Sequence, residues 1–233
     1  MQVQGEPRVV RPPYSQRVAH RPLLLGDEFF LIAHDDQTGR PRLHGNAVRY
    51  GLAAALLGEL AFIGRLTFEH GHVVVRNAWP PEDWLQRFVL SAVAADQRHT
   101  ATRTWLEYLA ETVPDRVAQR LFRQGKVEPV EQRRLLRMFR GGTRHKPTDT
   151  NVAAWSWARL STRLRNYEPL SPFDLALAGI TVSCRLDGFV LDGAPNTVGA
   201  HLRRLLCEAP EPMRDLFAHL DREIGTAVMS HRD

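Results

Sequence analysis

Apolar positions along this chain fall mostly at helical spacing, broken twice by short alternating runs. Residues 22–33 (PLLLGDEFFLIA) form a short apolar element read as a helix, with Asp27 and Glu28 on its exposed side. A turn, HDDQTG, follows and closes at Gly39. Residues 46–64 form the dominant element. Ala47, Tyr50, Ala54, Leu57 and Ala61 keep spacings of three and four, while Leu52, Ala53, Leu56 and Leu60 fill the remaining faces. A helix apolar nearly all round sits in the middle of a core or in a membrane. Its uncharged run, residues 50–58, ends at Glu59, far short of the ~20 residues of a bilayer span. The pattern therefore predicts a buried spine.

Alternation then takes over. Residues 66–69 and 73–76 flank His70, Gly71 and His72 and predict a β-hairpin. Pro80 and Pro81 are expected to open a helix whose first turn holds Glu82 and Asp83, with Trp84, Leu85, Phe88, Val89, Ala92 and Val93 as its stripe. Further helices are predicted at 100–113 (Trp105, Leu106 and Leu109 inward) and 115–124 (Val117, Leu121 and Phe122 inward), with Gly125 as C-terminal cap. Residues 127–139 read as a second hairpin turning at Glu131, Gln132 and Arg133. A helix over 151–167 follows, capped by Thr148 or Asp149, with Val152, Trp155, Leu160 and Leu164 inward. Residues 171–185 start with a Ser cap and a Pro and give a second nearly all-apolar helix, expected beside the spine. Helices at 196–208 and 212–228 end the chain. No repeat or linker divides it. The expected fold is mainly α: a single domain of apolar central helices surrounded by amphipathic ones, with two hairpin insertions, over residues 22–233. Residues 1–21, polar, basic and Pro-containing, are expected to be a flexible arm.

Composition adds a charge. The 233 residues carry a net +5, and all but Lys126 and Lys146 of the 31 cations are arginine. From Arg116 to Lys146 ten Lys and Arg face only Glu128 and Glu131, which points to an anionic partner. No apolar stretch marks residues 1–21 as a signal peptide and none is long enough to span a bilayer, so the expected location is cytoplasmic. Cys184 and Cys207 lie in apolar helical patterns and read as buried thiols. No nucleophile elbow, zincin motif, Walker loop or dinucleotide fingerprint occurs. Neither a cofactor nor a metal is expected, since His70 and His72 make at most half a zinc site. Glu59 is the carboxylate expected to be part-buried, paired with an arginine such as Arg65. The protein is not expected to be an enzyme.

One run of features points to a family. LLLGDEFFLIAHD and the Gly39 turn come first. Then come Gly51-Leu52, Leu56, Glu59-Leu60-Ala61 and Gly64-Arg65-Leu66, followed by Arg116, Arg120-Leu121 and Gly125 before the hairpin. This order resembles the Golgi phosphoprotein 3 family, in its bacterial, actinobacterial-type branch, over roughly residues 20 to 230. The resemblance implies a helical peripheral membrane protein. It also implies an adaptor that binds phosphatidylinositol 4-phosphate, takes cytoplasmic tails of membrane proteins as partners, and uses the 127–139 hairpin for homo-oligomer or membrane contact through Leu135 and Leu136. The family's pocket Trp and three pocket Arg fall, by ungapped matching, at His44, Ala53, Glu111 and Pro114. The candidate ligands for an anionic headgroup are therefore Arg42, His44, Arg49, Arg116, Arg120, Arg133, Arg134 and Arg137. The alternative is nucleic-acid binding, since residues 100–139 imitate a winged helix whose second helix offers Arg116, Arg120, Arg123, Gln119 and Gln124.

Overall fold

A computed structural model describes residues 23–43, 45–96, 98–130 and 144–229, with side chains through 226. Its elements in chain order are α1 (Leu25–Ala33), α2 (Gly45–Phe62), β1 (Leu66–Glu69), β2 (His72–Val75), α3 (Trp84–Ala95), α4 (Thr102–Thr112) and α5 (Pro114–Arg123). β3 (Val127–Pro129), β4 (His145–Pro147), α6 (Thr150–Arg165), α7 (Pro172–Ser183), the single turn α8 (Asp187–Val190), α9 (Asn196–Cys207) and α10 (Glu211–Met229) complete them. The fold is a single helical domain with two small antiparallel hairpins, as the patterning predicts.

The spine is α2. Residues Leu52 to Leu57 and Leu60 are fully shielded from solvent, and α1, α3, α4, α7 and α10 pack around them. Small residues let these neighbours approach. A Cβ on Gly51 would overlap the Phe29 ring of α1 and lie 2.7 Å from the Cys184 sulfur at the end of α7. The second apolar helix, α7, thus lies beside the spine as expected, and the Cys184 thiol donates to the Ala47 carbonyl at 3.5 Å.

Several local readings change. All nine residues of α1 are buried, Asp27 and Glu28 included, because α2, α5, α6 and α7 surround it and Arg120 of α5 and Arg159 of α6 pair with the two acids. α3 begins at Trp84, not at the prolines. Trp79 and Pro80 each precede a proline and are pushed out of the helical region, while Asp83 caps by accepting from the Leu85 and Gln86 amides at 3.0 Å. On α5 the inward face is Val117, Arg120 and Leu121, so Phe122 is 52% exposed. On α6 the buried face runs Ala153, Ser156, Leu160 and Leu164, one position out of step with the expected start, and Trp155 is exposed. Cys184 is buried, but Cys207 is exposed on α9.

The first hairpin pairs Leu66 with Val75 through Glu69 with His72. His70 and Gly71 both have positive φ (51° and 82°), the requirement of a two-residue turn whose twist matches the strands. The second hairpin is not the one expected. β3 pairs with His145–Pro147, Val127 opposite Pro147. The expected turn and return arm lie in residues 131–143, outside the described residues. The return strand His-Lys-Pro carries no alternating apolar signal, so nothing in the pattern marks it.

A Gly51→Ala variant is expected to lose roughly 1–3 kcal/mol by overpacking. Gly45→Ala, with no atom within 4 Å of the new Cβ, is expected to be neutral or slightly stabilising. Urea midpoints measure both; a Gly51→Ala protein as stable as the parent contradicts this packing.

Candidate anion-binding site

Arg120, expected at the surface as a headgroup ligand, is instead in the core, 2% exposed. Its Nε donates to Asp27 of α1 at 2.8 Å. Its two Nη atoms grip both oxygens of Glu59 on α2 at 2.9 and 3.1 Å, and Nη1 also reaches Asp83 at 3.2 Å. Glu59 further accepts from the Gly26 amide at 2.8 Å and the Gln86 side chain at 3.0 Å. This corrects two readings. Arg120 has no freedom to meet an external anion, and the partner of Glu59 is Arg120 rather than Arg65. A carboxylate so fully engaged is a structural group. Burial opposes the charge on Arg120, but Glu59, Asp27 and Asp83 outweigh it and strengthen its hold on the proton. Burial pushes Asp27 up from 3.8 to about 6 against the pull of Arg120. A second, part-buried network links Arg159 of α6 to Glu28 at 2.6 Å and to Asp174 of α7 at 2.8 Å.

The remaining predicted ligands scatter. Arg49 donates to the Ala110 carbonyl at 3.0 Å and pairs with Glu111 at the end of α4. The Arg116 guanidinium lies 4.1 Å from the Phe88 ring centroid. Arg123 similarly covers Trp84 at 4.9 Å. The helix expected to read DNA therefore turns one arginine inward and lays two on aromatic rings, and the 127–139 wing is not the observed hairpin. His44, Arg133, Arg134, Leu135, Leu136 and Arg137 lie outside the described residues. Of the positions aligned with the family's pocket, Ala53 is fully buried, Glu111 is tied to Arg49, and Pro114 opens α5.

Arg42 does meet other cations. It borders an open cavity of 540 Å³ between the turn at 35–43 and the α7–α8 corner, where Arg40, Arg185, Leu43, Leu186 and Phe189 also line the wall. Local chemistry builds the turn. Asp35 accepts from the Thr38 hydroxyl and amide at 2.7 and 2.8 Å, and these bonds hold its carboxyl below the usual range. Gly39, at φ 63°, sits so close to β4 that a Cβ would overlap the His145 carbonyl, which seats the turn on the base of the second hairpin. Arg42 donates to the His34 carbonyl at 3.1 Å and lies 4.0 Å from the Phe189 ring centroid. It stands 3.5 Å from Asp35 and from Asp36. Arg185 reaches Asp221 at 2.8 Å and is 61% exposed. Arg40 is exposed and has no acidic partner among the described residues. His34, stacked on Phe30, is pushed down to about 4 by burial and adds no charge near neutral pH. Sequence reasoning missed Arg40, Arg185 and Phe189. Their only signal is that two turns, at 35–39 and 185–188, flank the two apolar helices whose packing brings them together.

Among the described residues no cluster of three or more His, Cys, Asp or Glu is placed to hold a metal, and no helix is long and apolar enough to cross a membrane. The fold and this cavity define a helical protein built on a buried spine, with a basic, aromatic-floored recess at the spine's N-terminal end. The family model for Golgi phosphoprotein 3 (GPP34) matches residues 25–220, and the chain belongs to that family. No curated protein matches it.

Arg120→Leu is expected to cost roughly 3–5 kcal/mol by stranding buried carboxylates, read from denaturant unfolding. For Asp27 the folded pKa lies above the unfolded one. Its contribution is complete below pH 3.8 and is lost as pH rises to about 6. The stability of Asp27→Asn relative to the parent should therefore climb across that window and level off above it. A difference that stays flat with pH would refute the assignment.

Proposed function

We propose that this protein is a non-catalytic, peripheral membrane-binding adaptor that recognises anionic phospholipid headgroups through the Arg40–Arg42–Arg185 recess. The observation that carries the reading is that recess in a member of this family: three guanidinia beside an apolar floor of Leu186 and Phe189. The acids nearby do not preclude an incoming phosphate. The Arg42 contacts to Asp35 and Asp36 are long, at 3.5 Å, and the Arg185–Asp221 pair, though 2.8 Å, is open to solvent on both sides. Partly exposed pairs of this kind are worth about 0–1 kcal/mol, so a phosphate can take their place. Each basic residue at an anionic surface contributes about 1 kcal/mol. Three together support reversible attachment.

The finer reading, phosphatidylinositol 4-phosphate, comes from the family resemblance. The residues at 44, 53, 111 and 114 do not reproduce the family's pocket, and the Arg49–Glu111 pair cancels charge there. Recognition of phosphate charge in general is therefore the better-supported form.

Sedimentation with phosphatidylcholine liposomes carrying phosphatidylserine, phosphatidic acid or phosphatidylinositol 4-phosphate at matched charge tests both. Binding to all three, falling as salt rises, is expected. The double variant Arg40→Glu/Arg185→Glu should weaken it by about tenfold or more. Binding to phosphatidylinositol 4-phosphate alone would restore the finer reading. No salt-sensitive binding to any anionic liposome would sink the proposal.

A further inference from the structure

Arg42 is anchored on two sides and open on a third. Its Nε donates to the His34 carbonyl at 3.1 Å. Its face lies over the Phe189 ring, which Trp157 in turn meets edge-on with centroids 5.5 Å apart. The two Nη atoms are the end left for exchange. Nη1 stands 3.5 Å from Asp35 Oδ2, and Nη2 stands 3.5 Å from Asp36 Oδ1. One guanidinium is thus the cation shared by two acids.

The Asp35 carboxylate is split between two tasks. Its Oδ1 accepts from the Thr38 hydroxyl at 2.7 Å and from the Thr38 and Gln37 amides at 2.8 and 3.2 Å. Those bonds fix the side chain and hold it ionised. Oδ2 is left with the long Arg42 contact alone among the described residues. Asp35 and Thr38 line the same recess as Arg40, Arg42 and Arg185, so the recess offers an acceptor beside its cations.

A phosphate drawn to the two Nη atoms takes Arg42 from both acids. Asp35 and Asp36 then stand uncompensated beside an incoming negative charge, and like charges so placed oppose binding. A headgroup that brings its own ammonium removes this cost. A primary ammonium has three N–H donors for Asp35 Oδ2 and Asp36. The quaternary ammonium of choline has none, and glycerol carries no cation at all. We propose that the recess selects aminophospholipids: the phosphate meets Arg40, Arg42 and Arg185, and the primary ammonium of a serine or ethanolamine headgroup meets Asp35 and Asp36. This selectivity rests on the lipid reading above and adds to it which headgroup is preferred.

Sedimentation at one salt concentration tests it, with phosphatidylcholine liposomes carrying equal fractions of phosphatidylserine or phosphatidylglycerol. Both lipids have the same net negative charge near neutral pH, and phosphatidylserine alone adds an ammonium. The parent should bind the serine vesicles about threefold or more tightly. Asp35→Asn/Asp36→Asn removes both charges, and an asparagine at 35 keeps an acceptor oxygen for Thr38. In that variant the preference should vanish while binding to phosphatidylglycerol rises, because the negative charges have left the recess. A misfolded variant would lose binding to both vesicles and its cooperative thermal unfolding. Equal binding of the parent to the two vesicles, or a preference that survives in the folded double variant, overturns the selectivity and leaves the lipid reading standing. Absence of salt-sensitive binding to either vesicle overturns both. Calorimetric binding of soluble phosphoethanolamine without binding to vesicles assigns the recess to a free phosphate ester and overturns the lipid headgroup.

Discussion

One buried guanidinium ties four helices together. Arg120 on α5 meets Asp27 on α1, Glu59 on the spine, and Asp83 at the cap of α3. Ions removed from water lose several kcal/mol of solvation each, and only close, fully hydrogen-bonded geometry offsets that loss. The cluster meets the condition by recruiting the Gly26 amide and the Gln86 side chain to Glu59, and the Leu24 amide to Asp27. Gly26 has no room for a side chain, since a Cβ would lie 2.7 Å from Leu56. The helices are thus held in one mutual arrangement by directional bonds as well as by apolar packing. Burial, helped by the negative charge of Glu59, outweighs the pull of Arg120, which is why Asp27 holds its proton to unusually high pH.

That arrangement also determines which arginines are available for function. Arg120 and Arg159 hold the core, while Arg49, Arg116 and Arg123 are laid against the ends or rings of neighbouring helices. The strong local charge bias between Arg116 and Lys146 is thus partly consumed by the fold. The cations that share an open recess come from two turns distant in sequence. One, at 35–43, is seated on β4 through Gly39. The other follows α7, where Arg185 adopts φ 64°.

Long, strongly periodic segments were legible from the chain alone. The spine, the second apolar helix, the first hairpin and the Gly125 cap all lie within a residue or two of where patterning places them, because each depends on local chemistry: apolar spacing, a Ser or Pro at a helix start, a glycine at positive φ. Facing was less legible. Phe122 and Trp155 were expected inside and lie outside, each because a neighbouring position holds the buried face. Arg120 and Asp27 were expected outside and lie inside, because hydrophobicity alone cannot report that an acid and a base will be buried as partners.

The amino-acid sequence by itself determined that this is a mainly helical domain around an all-apolar spine, and it carried the glycine and leucine order that marks the family. Only the tertiary structure decided which charges are structural and which are free. It also decided that β3 pairs with residues 145–147, and that Arg40, Arg42 and Arg185 converge. The physical reason is range. Helix periodicity and turn chemistry act over a few residues, whereas ion pairs spanning 93 and 61 positions, as from Arg120 to Asp27 and to Glu59, exist only once packing has brought their helices together.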